Sequence, residues 1–171
     1  MLQILSYTIP SLVVVLCIWI VMHKMYKNES DKRLWELKRQ SQKEITPIRL
    51  RAYERLTILL ERTTPEHMLI KLNLVEMTKT QVQQQLLRTL RTEFDHNMSQ
   101  QIYVSDETWK QIILARDEMA TFINSVSIQT PAECTALEYA TALINAYQNN
   151  GTTTHTLAMT TLKREAAGLL S

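Results

Sequence analysis

Apolar residues recur along most of this chain at three- and four-residue intervals, the spacing of one face of an α-helix. Residues 47–62 place Ile48, Ala52, Tyr53, Leu56, Leu59 and Leu60 on one stripe. Residues 65–72 carry Met68, Leu69 and Leu72. Residues 78–97 carry Val82, Leu86, Leu87, Leu90 and Phe94. Residues 106–125 carry Trp109, Ile112, Ile113, Met119, Phe122 and Ile123, and residues 131–148 carry Leu137, Ala140, Leu143, Ile144 and Tyr147. The tail, 154–169, adds Leu157, Leu162, Ala166 and Leu169. No segment alternates as a strand would. The pattern predicts an all-α protein with a compact bundle of about five helices over residues 47–171.

Two stretches break this rhythm. Residues 1–22 contain no charged side chain, and Ile4–Met22 has the roughly 17–25 residue length of a bilayer-spanning helix. A cleaved signal peptide needs a basic head and a small-residue cleavage site; the head here is Met-Leu-Gln and the run ends in Met22-His23-Lys24. The expectation is an uncleaved single transmembrane anchor over residues 1–26, with Trp19 and Tyr26 at the interface. Residues 27–46 then form a charged stalk helix whose thin stripe runs Leu34, Leu37, Ser41, Ile45.

Charge orients the anchor. The net charge of +2 conceals ten Lys/Arg against five Asp/Glu in residues 23–55, and nine against twelve in residues 56–171. Lys24, Lys27, Lys32 and Arg33 follow the apolar run and no charge precedes it, so the N-terminus is expected outside and the bundle in the cytoplasm of a bacterial inner membrane. The same four cations are expected to meet anionic headgroups. A lipid partner explains them more simply than nucleic acid, which is not expected to bind.

Helix starts are written in threonine and proline. Thr46-Pro47, Thr64-Pro65 and Thr130-Pro131 each offer an N-cap hydroxyl followed by a residue with no N–H to lose. Glu133 completes a capping box with Thr130. Ser105-Asp106-Glu107 and Thr154 are further starts. Two Gly and four Pro leave little turn chemistry for a sheet.

Candidate chemistry is sparse. Glu93 and His96 have the Glu-x-x-His spacing of bundle di-metal sites, which need two such pairs and two further glutamates. One pair is present, so these are weak metal candidates and the better reading is a solvated helix end. Cys17 and Cys134 lie too far apart to suggest a disulfide framework. No glycine-rich phosphate loop or serine elbow is present. No cofactor and no small-molecule substrate are expected. The connector after His96 is the more inviting surface: Gln100, Gln101, Tyr103 and Val104 are partner-contact candidates on a loop, against the plainer reading that Ile102 and Val104 plug the bundle's end.

The early Ile9-Pro10, the stretch "KRLWELKRQSQKEITPIRLRAYERLTILLER" and the segment "RTEFDHNMSQQIYVSDETWKQI" resemble an uncharacterised family of small membrane-anchored helical proteins of Bacteroidota. The resemblance covers residues 1 to about 125. It implies an inner-membrane location and a helical domain, and it carries no activity. The function expected is therefore a membrane-tethered, non-enzymatic adaptor or assembly module. A homo-oligomeric stalk protein and a dimeric metalloprotein using Glu93 and His96 are the alternatives.

Overall fold

A computed structural model describes residues 2–149 and 153–169, with side chains from Leu16 onward except at positions 27, 28, 30, 31, 34 and 41. Its elements are α1 (Leu2–Arg62), α2 (Pro65–Leu69), a 3₁₀ turn (Leu74–Glu76), α3 (Lys79–Asn97), a second 3₁₀ segment (Met98–Tyr103), α4 (Asp106–Gln129), α5 (Ala136–Asn149) and α6 (Thr154–Gly168). Among the described residues there is no strand, only an isolated antiparallel bridge between Thr78 and Thr135. The chain divides into two compact units, Met1–Ile45 and Thr46–Ser171.

Several starts fall where the sequence puts them. The Thr64 hydroxyl accepts from the backbone N–H of His67 with Pro65 in the first turn, and Ser105 does the same for Thr108. Thr153, one residue before the expected Thr154, caps α6 through the N–H of Thr156. Two starts differ. Thr46-Pro47 begins nothing, because α1 runs through it. An interior proline costs about 3 kcal/mol. Good helix formers lie on both sides of Pro47, and Ala52, Tyr53, Leu56, Leu59 and Leu60 are all buried just beyond it, at about 1.5–3 kcal/mol for each large side chain.

The second difference is at Thr130. Its hydroxyl turns back to donate to the carbonyls of Val126 and Ser127, ending α4, and α5 begins five residues after the expected position. The sequence holds two successive box patterns, Thr130-x-x-Glu133 and Thr135-x-x-Glu138, and the second one forms. The Thr135 hydroxyl accepts from the N–H of Glu138 at 3.2 Å, and the Glu138 carboxylate accepts from the N–H of Thr135 at 2.8 Å. The Thr135 N–H, joined by the Thr135 hydroxyl donating to the same carboxylate at 3.0 Å, holds the Glu138 carboxyl below its ordinary value of 4.5. Thr78 and Gln81 make the matching box at the start of α3. Thr135→Ala is expected to destabilise the chain by about 1 kcal/mol and Thr130→Ala by less, as read from urea unfolding midpoints; equal losses would place the working cap at Thr130.

The unit Thr46–Ser171 has one continuous core. It draws Leu56, Leu59 and Leu60 from α1, Met68 and Leu69 from α2, Val82, Leu86, Leu90 and Phe94 from α3, and Ile112, Met119 and Ile123 from α4. Tyr139 and Leu143 of α5 and Ala158 and Leu162 of α6 complete it. Helix α4 packs against α3, α5 and α6, most extensively against α6. Tyr139 is fully buried, its hydroxyl donates to the Ile123 carbonyl at 2.9 Å, and burial pushes that hydroxyl up to about 12. Leu137, expected in the core, is 64% exposed. The buried face of α5 runs Ala136, Tyr139, Ala140, Leu143, and Leu137 points away from it.

In the unit Met1–Ile45 the described side chains do not support the anchor. Those of Ile4–Val15, which carry most of the expected span, lie outside the described set. From Leu16 the apolar run continues for seven residues to Met22 before His23 and Lys24, which is about 10 Å of helix at 1.5 Å per residue, against a hydrocarbon core of about 30 Å. Among the described residues no helix is long and apolar enough to cross a membrane. This overturns the single-pass inner-membrane location with its outward N-terminus and cytoplasmic bundle. The lipid contact expected of Lys24, Lys27, Lys32 and Arg33 was argued from that location, and the Lys27 side chain lies outside the described set. Lys24, Lys32 and Arg33 are exposed, and Arg33 donates to Glu29 at 2.7 Å along the helix.

Candidate functional site

The expected metal candidates sit apart from any ligand set. Glu93 is half-buried, with its carboxylate 3.9 Å from the Arg62 guanidinium, and its backbone carbonyl accepts from the Asn97 side chain at 2.8 Å. His96 is exposed on the last turn of α3. Among the described residues, no group of three or more His, Cys, Asp or Glu gathers as a metal site would.

The connector is helical rather than looped. As a 3₁₀ segment it turns Gln100 inward, where the side chain is buried and donates to Ser99 at 3.1 Å. Gln101 is exposed and Val104 packs on the core. Tyr103 is half-buried, and its carbonyl accepts from Arg49 Nε at 3.0 Å. Ile102, one of the two residues given a plug role, is 73% exposed.

That Arg49 contact opens onto a polar constellation that the sequence reading did not find. Glu165 of α6 stands on the apolar stripe of its helix, beside Leu162 and Ala166. Its Oε1 accepts from the Tyr53 hydroxyl at 2.9 Å, the backbone N–H of Ser105 at 2.8 Å and Arg49 Nη2 at 3.3 Å. Its Oε2 accepts from the Ser105 hydroxyl at 2.7 Å and, in a short bond, from the Thr108 hydroxyl. Arg49 Nη2 also donates to Tyr53 at 2.8 Å, and its guanidinium lies 5.8 Å from the Tyr53 ring centre.

Each member is placed by local structure. Arg49 and Tyr53 are four apart on α1, so they share a face. Ser105 and Thr108 are the N-cap and third residue of α4, where an acceptor is favoured by the exposed N–H groups. Burial pushes the Glu165 carboxyl upward; the bonds from Thr108, Ser105 and Tyr53 outweigh it and hold the group below its ordinary 4.5. Burial and the adjacent Glu165 raise the Tyr53 hydroxyl. With five donors on two oxygens the carboxylate is saturated, so the constellation acts as a clasp joining α1, the start of α4 and α6. The sequence signal was a carboxylate on an apolar stripe, at the spacing where Leu162 and Leu169 also lie.

Fold and clasp together define an all-helical protein: a bundle of short helices completed by the last turns of a 61-residue helix and closed by one carboxylate. The chain belongs to a family of unknown function (DUF7935), which it matches over residues 1–169. The match takes in α5 and α6 as well as the segments before residue 125. No curated protein and no solved structure is detectably similar to it.

Proposed function

We propose that this protein is a non-enzymatic helical adaptor or assembly module whose contact element is α1. The observation that carries the reading is the number of large apolar side chains that α1 leaves exposed, spread over more than one of its faces. Trp19, Met25, Trp35 and Leu37 are each more than 60% exposed, and Ile45 and Ile48 are about half exposed. Tryptophan and neighbouring aliphatic residues at such density are the material of protein contact surfaces. The clasp supports the same reading, since it fixes Arg49 and Tyr53 of α1 to α4 and α6.

A second reading is self-association through α1, as in a homo-oligomeric stalk. The unbroken run of α1 through Pro47 favours it, because a stalk needs a continuous helix. Sedimentation velocity of the full chain tests both readings, with Trp35→Glu/Leu37→Glu as the variant and a photo-crosslinker at position 35. Self-association that the double variant abolishes supports the stalk form. A monomer whose crosslinks are saturable and lost with Leu37→Glu supports an adaptor. A monomeric chain with no specific crosslink overturns the proposal.

A further inference from the structure

An open groove of about 610 Å³ lies where the first 3₁₀ turn, the start of α3 and the start of α5 come together. Its size falls within the roughly 300–1,000 Å³ of clefts that hold a bound group. The antiparallel bridge between Thr78 and Thr135 ties the two helix starts to each other. Leu74, Met77 and Cys134 line the groove and pack partly on the core, while Val75 and Leu137 stand as its lips. Val75 is 94% exposed and Leu137 64%. Two large aliphatic side chains so exposed beside one concavity form a patch rather than scattered surface residues.

The rim is acidic. Glu133 lines the groove, and Glu76 and Glu138 adjoin the Val75 and Leu137 lips. All three are exposed, and among the described residues no cation pairs with them. The Lys79 ammonium turns away from the rim to the carbonyls of Thr130 and Pro131, at 2.9 and 3.1 Å. An apolar hollow with an acidic rim is complementary to an apolar side chain ringed by cations.

Helix α1 presents such a side chain. Trp35 is 76% exposed. Its neighbours on the helix surface are Lys32, three residues before it, and Lys38 and Arg39, three and four after. These three are exposed, and Asp31 is the acid at the remaining spacing, so the face carries three cations against one acid. Trp19 offers no such match. It stacks on His23 with ring centres 5.6 Å apart, and the other residues at these spacings are Val15, Leu16 and Met22.

We propose that the groove receives Trp35 of a second copy of this chain, with that copy's Lys32, Lys38 and Arg39 set against Glu76, Glu133 and Glu138. The inference rests on the self-association reading of α1 and names the surface that α1 meets. A tryptophan seated in a hollow and rimmed by charges concentrates the free energy of a contact in one side chain.

The test is sedimentation velocity of two full-length variants, alone and mixed. Val75→Lys/Glu133→Lys spoils the groove, and Trp35→Ala/Lys38→Glu spoils the face. All four positions are exposed, so both variants keep the fold, which circular dichroism checks. Each variant alone should associate at least about tenfold more weakly than the wild type. The equimolar mixture should recover association, because the first variant keeps its Trp35 face and the second keeps its groove. A groove variant that associates as tightly as the wild type overturns the inference and leaves self-association through α1 standing on another surface. A mixture that recovers nothing also overturns it, since a contact made within one chain gives that result. A wild-type chain that stays monomeric at about 100 μM overturns both the inference and the stalk reading beneath it.

Discussion

Glu165→Ala lowers the unfolding free energy by about 2–4 kcal/mol at neutral pH, as read from urea denaturation followed by circular dichroism. The magnitude follows from what is left behind. Arg49 remains partly buried with its charge unmet, and the Tyr53, Ser105 and Thr108 donors lose a shared acceptor. Hydrogen bonds to a charged group contribute about 1.5–3 kcal/mol each in favourable settings. Partial exposure of Arg49 and Glu165, at 32% and 18%, and the sharing of one carboxylate keep the total well below the sum. Glu165→Gln loses less, because an amide oxygen still accepts. The sign of the pH dependence follows from the lowered pKa of Glu165. A group whose folded pKa lies below its unfolded value contributes fully above the unfolded value, here 4.5, and loses that contribution as pH falls through the folded one. The gap between wild type and Glu165→Ala is therefore wide at pH 7 and narrows below pH 4.5. A gap that stays constant to pH 3 would show that the carboxylate charge is not what the clasp uses.

Leu143→Ala and Leu137→Ala separate the two faces of α5. Leu143 is fully buried among core side chains, and truncating it leaves a cavity, at a cost of about 2–5 kcal/mol. Leu137, six residues earlier on the same helix, is 64% exposed, and its truncation changes stability by no more than about 0.5 kcal/mol. Both substitutions replace leucine with the best helix former, so helix propensity cancels and burial alone sets the difference. Chemical denaturation of the pair gives the comparison directly. Equal effects would mean that α5 is rotated from the face formed by Ala136, Tyr139, Ala140 and Leu143.

The all-α architecture was legible because amphipathic periodicity reports burial, and burial is what stabilises these helices. The stripes of α3 and α4 illustrate this: Val82, Leu86, Leu90 and Phe94 of one and Ile112, Met119 and Ile123 of the other are all in the core. Helix ends were harder, because capping is decided by which of several competing hydroxyls finds a backbone N–H. Thr130 and Thr135 carry the same box pattern five residues apart, and the core position of Ala136 and Tyr139 selects the second. Pro47 misled for a related reason. A local penalty of a few kcal/mol is visible in sequence, whereas the tertiary burial that offsets it is not. The clasp was illegible for a third reason. Tyr53 and Glu165 lie 112 positions apart, and no local pattern pairs them. The Glu93 and His96 pair shows the converse. A spacing that suggests ligation on one helix means little until other helices bring further ligands, and among the described residues none do.

The reach of the clasp along the chain also sets a timetable for biosynthesis. A ribosome adding about 5–20 residues per second makes Glu165 roughly 6–22 s after Tyr53. Through that interval Arg49 and Tyr53 have emerged, or are emerging, without their carboxylate, and the neighbouring Leu56, Leu59 and Leu60 wait for the helices that bury them. The nascent chain thus carries these apolar side chains uncovered for seconds before the helices that bury them have been made.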